Sequence, residues 1–368
     1  MYNHATAEGT RRYAERFGHL APDHFRMAQD LTVSSIGIGT YLGAFDDATD
    51  EGYRGAIARA LELGCNFIDT AVNYRCQRSE RAIGEALKKA FTEGSVRRDE
   101  VVVSTKGGYF PYEREVPSDV WAYFHERFEK PGILHRSEVV GDIHAMTPRY
   151  LENLLETSLR NLGLDCIDVY YIHNPEHQLP EVGREEFYKR LRAAFEFLES
   201  KVREGKIHAY GTATWNGYRV SSDSPDHLDL ARVVQSAEGA GGKEHHFRFL
   251  MFPLNMAMLE AVASPTQHGS GRDGPVLQVA ADFGLTAVSS STILQGRLAH
   301  GLPESVQKAI GSLSTDAQRA IQFNRSLPGL AAAFVGMSRV GHVEENLKVA
   351  ETQPLSGEQL VGLLGGSA

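Results

Sequence analysis

The sequence predicts an α/β protein built as a single (β/α)8 TIM barrel with long loops on its C-terminal face and an N-terminal extension. Three observations carry this: eight short apolar runs along the chain, amphipathic helices between them, and a length of 368 residues. That length suits one barrel with enlarged loops. The runs are SSIGIGT (34–40), NFIDT (66–70), VVVST (101–105), CIDVYYI (166–172), IHAYGT (207–212), FRFLMF (247–252), LTAVSS (285–290) and AAAFVG (331–336). Several are apolar on both faces, as parallel strands covered outside and packed inside must be. AAAFVG is Ala-rich and helix-prone on propensity alone, and its place in the series assigns it as the eighth strand.

The segments between the runs carry helical periodicity. Ser79 is placed to cap a helix in which Ala82, Ile83, Ala86 and Leu87 recur on one face. Another starts near Pro148, aligns Leu151, Leu154, Leu155, Leu159 and Leu162, and stops at Gly163. A third groups Leu191, Ala194, Phe195, Leu198 and Val202 and ends at Gly205. A doubly wound sheet would need GxGxxG after its first strand, and GIG at 37–39 followed by TYLG lacks that spacing. The domain reading is therefore an extension over 1–30 and one barrel over 31–368. The extension is either an arm lying on the barrel or serving a partner subunit, or a partly ordered tail.

Composition narrows the function class. The chain is 42% hydrophobic and 23% charged with a net charge of -9, which argues against a nucleic-acid partner. Cys65, Cys76 and Cys166 are too few and too unevenly spaced for a disulfide framework. No Cys/His spacing suits zinc, so no metal is expected. Cys76 reads as a bystander thiol, Cys65 and Cys166 as packing residues, and His245 and His246 as solvated. A reducing cytoplasm is the expected setting. The first thirty residues have no apolar core of a secretory signal. No run approaches the roughly 20 apolar residues that cross a bilayer, so no membrane partner is expected. Monomer and homo-oligomer both stay open.

Four polar residues sit at or just past strand ends: Asp69 and Tyr74 after the second run, Lys106 after the third and His173 after the fourth. Together they suit carbonyl reduction, which builds negative charge on oxygen and needs a proton donor beside it. Tyr74 is the proposed acid, and the Lys106 ammonium lowers its pKa. Asp69 compensates the lysine, while a neutral His173 orients the carbonyl. Two connections, 107–147 and 253–275, are too long for plain loops and leave from the same rim. The first holds Tyr109, Phe110, Tyr112, Trp121, Tyr123, Phe124 and Phe128, which suit either a pocket wall or a satellite core. Tyr109 and Phe110, nearest the strand, and Trp215, after the fifth strand, are the candidate substrate contacts. The small-molecule substrate expected is a carbonyl or alcohol larger than a triose: a cyclic sugar, a glycoside, or an aromatic or polyketide-like compound.

The stretches NFIDTAVNY (66–74), SERAIGEAL (79–87), VSTKGG (103–108), YYIHNPE (170–176), REGKIHAYG (203–211) and GMSRVGHVEENL (336–347) resemble the aldo-keto reductase family. The resemblance runs from about residue 31 to residue 350. It implies a (β/α)8 barrel that binds NADP(H), less often NAD(H), and puts the family's catalytic residues on Asp69, Tyr74, Lys106 and His173. The HNPE context and long third loop look like the bacterial sugar and aldose dehydrogenase-like branches. The implied cofactor contacts are Gly39, Thr40, Asp69 and Thr214, then Ile293, Leu294, Gln295, Gly296 and Arg297 around the diphosphate. Gly336, Met337, Ser338, Arg339, His342, Glu345 and Asn346 match the adenosine segment. Arg339 is the main candidate for a 2′-phosphate, which favours NADPH with NADH as the alternative. Three positions depart from the family: Ala213, Met251 and Ser290 stand where it has carboxamide-bonding or stacking side chains. The leading expectation is an NAD(P)H-dependent oxidoreductase. The alternatives are an epimerase or lyase-like enzyme using the same nucleotide and a non-catalytic cofactor-sensing barrel.

Overall fold

A computed structural model describes residues 3–364 apart from positions 142 and 270; residues 1–2 of the extension and 365–368 of the barrel span lie outside it. The eight runs form strands β1 (Ile36–Gly39), β2 (Phe67–Asp69), β3 (Val102–Gly107), β4 (Ile167–His173), β5 (Ile207–Ala213), β6 (Phe247–Pro253), β7 (Thr286–Ser290) and β8 (Leu330–Gly336). They close in the order β7-β8-β1-β2-β3-β4-β5-β6, every pair parallel. The Ala-rich eighth run is a strand because β7 and β1 pair with it on both sides, which overrides its propensity.

Helices α1 (Asp47–Glu62), α2 (Arg78–Glu93), α3 (Pro148–Leu162), α4 (Arg184–Arg203), α5 (Leu230–Gly241), α6 (Val276–Asp282), α7 (Asp316–Arg325) and α8 (Val340–Leu347) follow the strands in turn. On α3 all five stripe leucines are buried, Leu151, Leu155, Leu159 and Leu162 in the main core and Leu154 in a satellite core under the long β3 loop, each contributing roughly 1.5–3 kcal/mol. The expected cap at Ser79 is not found. The cap position of α2 is Gln77 in a left-handed conformation, and the Ser79 hydroxyl donates instead to the Thr40 carbonyl at 2.7 Å.

Alternate strand residues build two cores. Ile68, Val103, Tyr170, Ile172 and Tyr210 face the helices, while Phe67, Val102, Val169, Tyr171, Ala209, Phe249 and Val288 fill the barrel. The barrel floor is closed from outside the (β/α)8 repeat. A hairpin, Phe25–Ala28 with Leu31–Ser34, sends Ala28, Leu31 and Val33 into the interior cluster alongside Ala5. The Ala5 N–H donates to Asp168 Oδ1 at 2.6 Å.

The N-terminal helix Ala7–Glu15 lies across this floor. Its cap Thr6 accepts from the Gly9 N–H. Gly9 runs so close to Asp99 that a Cβ there would stand 2.1 Å from the Asp99 carbonyl oxygen. Arg12 then bonds both carboxylates of the β3 approach, Asp99 at 2.8 Å and Glu100 at 3.0 Å. Both acids are nearly buried, so Arg12→Ala leaves Asp99 without its cation and Glu100 with Arg16 and the Arg97 N–H. The expected loss is about 1–3 kcal/mol, read as a lower urea midpoint at unchanged slope. An unchanged midpoint would mean that the helix does not hold the floor.

Candidate active site

The C-terminal ends of the strands surround one cavity of about 380 Å³. Gly39, Asp69, Lys106, His173, Ala213, Met251, Ser290 and Gly336, one from each strand, all line it, together with Tyr74 from the loop after β2. Strand register makes this so: Gly39 pairs with Asp69, His173 with Ala213, Ala213 with Met251 and Gly336 with Gly39.

Asp69 and Lys106 form a buried ion pair at 2.6 Å. Lys106 Nζ also donates to the Thr70 carbonyl at 2.7 Å, and Ser104 Oγ donates to the second Asp69 oxygen at 2.7 Å. Burial pushes the Asp69 carboxyl up and the Lys106 ammonium down, and each charge offsets part of the other's desolvation. Lys106 Nζ lies 4.9 Å from the centre of the Tyr74 ring. The expected lowering of the Tyr74 pKa is not what this arrangement produces. Burial first, then the Asp69 charge, push the phenol well above its ordinary range. Asp69, paired with Lys106, offsets part of the ammonium's pull on the phenol.

His173 packs edge-on to Tyr74 and to Tyr109, with ring centres 5.7 and 4.9 Å apart. Burial, followed by the Lys106 charge, holds its imidazole neutral, and its Nδ1 is buried without a partner. Its backbone is pinned by His144, whose Nε2 donates to the His173 carbonyl at 2.7 Å while Gln178 donates to Nδ1 at 3.2 Å. Gly108 allows this approach, since a Cβ there would stand 2.7 Å from His144 Nε2. Tyr109 is held by Asn174 at 3.0 Å and His177 at 2.7 Å.

Three successive non-glycine residues after Tyr74 are left-handed: Arg75, Cys76 and Gln77, with φ of 48°, 54° and 71°. Such residues cost of order 1–3 kcal/mol each, so the surroundings must hold them. Arg75 bonds the Ala44 carbonyl of the β1 loop and Asp50 in the first turn of α1. Gln77 Nε2 donates to the Pro111 carbonyl at 3.0 Å, and the Cys76 carbonyl accepts from Arg114 at 3.1 Å. The loop bearing Tyr74 is thus tied to both of its neighbours.

On the other side of the cavity, Thr40, Thr214, Ile293 and Gln295 join the lining. Thr214 Oγ1 donates to the Met251 carbonyl at 3.4 Å. Leu294, Gln295 and Gly296 are left-handed, and Arg297 is exposed beside them. Ser338 is half-buried while Arg339 and His342 are exposed at the start of α8. Met337 is in the core, Glu345 accepts from Thr315 at 2.8 Å, and Asn346 is buried with its Oδ1 unpartnered among the described residues.

Of the three substrate candidates, Tyr109 and Trp215 line the cavity. Phe110 does not. It stacks on Phe124 and Phe128 in a satellite core with Leu134 and Tyr150, so the aromatic set of the long loop mostly holds that loop together. His245 is buried beside Phe247 rather than solvated, and His246 pairs with Glu199 at 2.9 Å. Sequence reasoning passed over Tyr41, Leu42, Asn73, Ile143 and Asn174, which also line the cavity. Asn73 and Asn174 were discoverable, because each adjoins a singled-out residue. Ile143 arrives from a loop whose path no periodicity records. Among the described residues there is no His/Cys/Asp/Glu cluster able to hold a metal and no helix long and apolar enough to cross a membrane.

The profile of the Aldo/keto reductase family matches residues 35–238. The NADP(+) aldo-keto reductase yakc of Schizosaccharomyces pombe is 28% identical over 182 residues, 49% of this chain and 42% of that protein. A putative voltage-gated potassium channel subunit beta of the same yeast is 24% identical over 344 residues, 90% of this chain and 88% of that one. An aldo/keto reductase from Klebsiella pneumoniae, solved with NADP and acetate, has the same fold. Its TM-score is 0.62 at 21% identity, over 93% of this chain and 94% of that one.

Lys106→Met leaves the Asp69 carboxylate buried without its cation, which costs about 3–5 kcal/mol near neutral pH. The folded-state pKa of Asp69 is already raised, and losing Lys106 raises it further. The unfolded chain then binds fewer protons than the folded one, so the deficit grows as pH rises through that window and shrinks toward acid. Denaturant unfolding at pH 4.5 and 7.5 reads this difference, and a deficit equal at both would contradict it.

Proposed function

The chain belongs to the Aldo/keto reductase family, and on that premise we propose that it is an NAD(P)H-dependent oxidoreductase interconverting a carbonyl and its alcohol. The observation that carries this is the gathering of Tyr74, Lys106, Asp69 and His173 on one cavity. The cavity also fits a pyridine nucleotide. His173 Nδ1 and Asn73 Oδ1 are buried without partners at its reacting end. The left-handed backbone at 294–296, with Arg297 beside it, suits diphosphate oxygens at the other. Thr40 and Thr214 would flank the nicotinamide and Arg339 a 2′-phosphate, which favours NADPH over NADH.

A bound pyridine nucleotide supplies the hydride. In reduction, the Tyr74 hydroxyl gives its proton to the carbonyl oxygen as negative charge develops there. The neutral His173 ring donates a hydrogen bond to that oxygen and sets its direction. Lys106, beside the Tyr74 ring, stabilises the phenolate left behind, and Asp69 keeps the ammonium in place. The walls at Tyr41, Leu42, Tyr109, Ile143 and Trp215 suit a substrate larger than a triose. The HNPE loop and long third loop favour the sugar and aldose dehydrogenase-like branches. A reducing cytoplasm suits the three free cysteines.

A second reading, a nucleotide-binding subunit without turnover, is favoured by Ala213 and Met251. These two pocket residues offer no good partner to a carboxamide. The long match to a putative channel subunit points the same way. Turnover separates the two readings.

Fluorescence titration is expected to show NADPH binding, and NADH more weakly. Absence of both at millimolar concentration would sink either reading. Tyr74→Phe should slow carbonyl reduction by roughly 10²–10⁴-fold with nucleotide affinity nearly unchanged. Reduction that survives at the wild-type rate removes Tyr74 as the acid.

Burial raises the phenol and holds the imidazole neutral. Both therefore stay in their working forms across neutrality. The rate of reduction should be flat from about pH 6 to about pH 9 and fall only beyond the ordinary phenol range. A titration midpoint near pH 7 that Tyr74→Phe abolishes would overturn this.

A further inference from the structure

Three residues past His173, the Glu176 carboxylate is completely buried in the loop after β4. Its Oε1 accepts from three consecutive backbone N–H groups of the β5 loop, Trp215 at 2.6 Å, Asn216 at 3.1 Å and Gly217 at 3.4 Å. Those N–H groups lie past the strand ladder and have no backbone partner. Oε2 is buried with none either, and no cation pairs with Glu176 among the described residues. A buried carboxylate without a counter-cation is costly, and the converging N–H dipoles, together with Glu176's own, offset part of it. Burial pushes the carboxyl up to about 7 while those donors pull it back.

The two strand ends that Glu176 bridges carry opposite parts of the site. His173 ends β4, and Thr214 and Trp215 follow β5; all three line the cavity. One further bond joins these ends, Asn174 N–H to the Ala213 carbonyl at 2.6 Å. Packing at the staple is close: a Cβ at Gly217 would stand 3.3 Å from Glu176 Cβ. Without the carboxylate, the described bonds between these ends reduce to Asn174–Ala213, while Arg184 holds only the outer part of the β5 loop, at the carbonyls of Ser222, Ser224 and His227.

We propose that Glu176 is a positioning residue: by gathering the amides of 215–217 it sets the Thr214–Trp215 wall against His173. The proposal rests on reading the site as a carbonyl-reducing centre. In that centre His173 would aim the carbonyl oxygen, and Thr214 on the β5 loop would flank a bound nicotinamide. The two must be in register for transfer, and a displacement near 1 Å between them costs about 10²-fold in rate.

The test compares Glu176→Ala, Glu176→Gln and Glu176→Asp in the full chain. A Trp121→Phe background leaves Trp215 as the sole emitter, since the chain has 2 tryptophans. Glu176→Ala should lower kcat for carbonyl reduction by about 10²-fold. NADPH affinity should move by less than about threefold, because the diphosphate loop lies across the barrel. Glu176→Gln keeps an acceptor oxygen at the same reach and should recover most of the lost turnover. Glu176→Asp, one methylene short, should not. Amide exchange at 215–217 should accelerate and Trp215 emission shift in the Ala and Asp variants but not in Gln.

The proposal is overturned if exchange at 215–217 is unchanged in Glu176→Ala. It is equally overturned if that variant loses stability while keeping kcat, or if Gln is as slow as Ala. Failure of the wild type to reduce any carbonyl with either nucleotide would instead defeat the functional reading, leaving exchange and emission to decide whether the staple exists.

Discussion

The parity of the strands is the constraint on which the rest of this structure depends. Side chains alternate across a strand, so pairing Asp69 with Ser104 and Lys106 with Tyr171 turns both charged groups into the barrel. A slip of one residue would send Ile68 inward and Asp69 toward the helices. Closure removes the freedom to slip, because each strand is paired on both sides and its outer face is claimed by packed helices. His173 obeys the same parity, with Tyr171 and Val169 below it in the interior and Tyr170 and Ile172 outside. The rim chemistry is a by-product of how the interior is filled.

Burying that much polarity has a cost, and the structure meets it with directed bonds. Asp69, Lys106, His144 and Glu176 are all buried, and each is met by donors or acceptors from a neighbouring strand end or loop. The bonds run circumferentially, from one strand end to the next. They therefore tie neighbouring loops to each other as well as satisfying their own partners. The left-handed run at 75–77 is the same device in backbone form, strained in isolation and held by the β1 loop and the long β3 loop.

Much of this was legible in the residues. Strand positions follow from short β-rich runs, and the structure keeps all eight within two or three residues of the expected bounds. The stripe on α3 and its stop at Gly163 follow from 3.6-residue spacing and a left-handed glycine. Asp69, Lys106 and His173 stand out because a charged or imidazole group ending an apolar run has few reasons to be there. Where local rules competed, they misled. Ser79 has the composition of a cap, but a left-handed Gln77 opens the helix and frees Ser79 to bond the β1 loop. Phe110 adjoins Tyr109 in sequence, and strand-like alternation at that point sends one ring to the cavity and the other to the satellite core.

The sequence by itself determined the architecture and which polar groups the strands deliver to the rim, because periodicity and strand-end placement are local properties written every two or four residues. Only the tertiary structure decided how those groups behave. The Tyr74 phenol is raised rather than lowered, since a pKa depends on burial and on the distance to Asp69 as well as Lys106. Only the fold brings His144 from the long loop beneath His173, and Glu176 onto the amides of the β5 loop some forty residues away. Those contacts join residues with no common period, and their energies arise only once water has been excluded from between them.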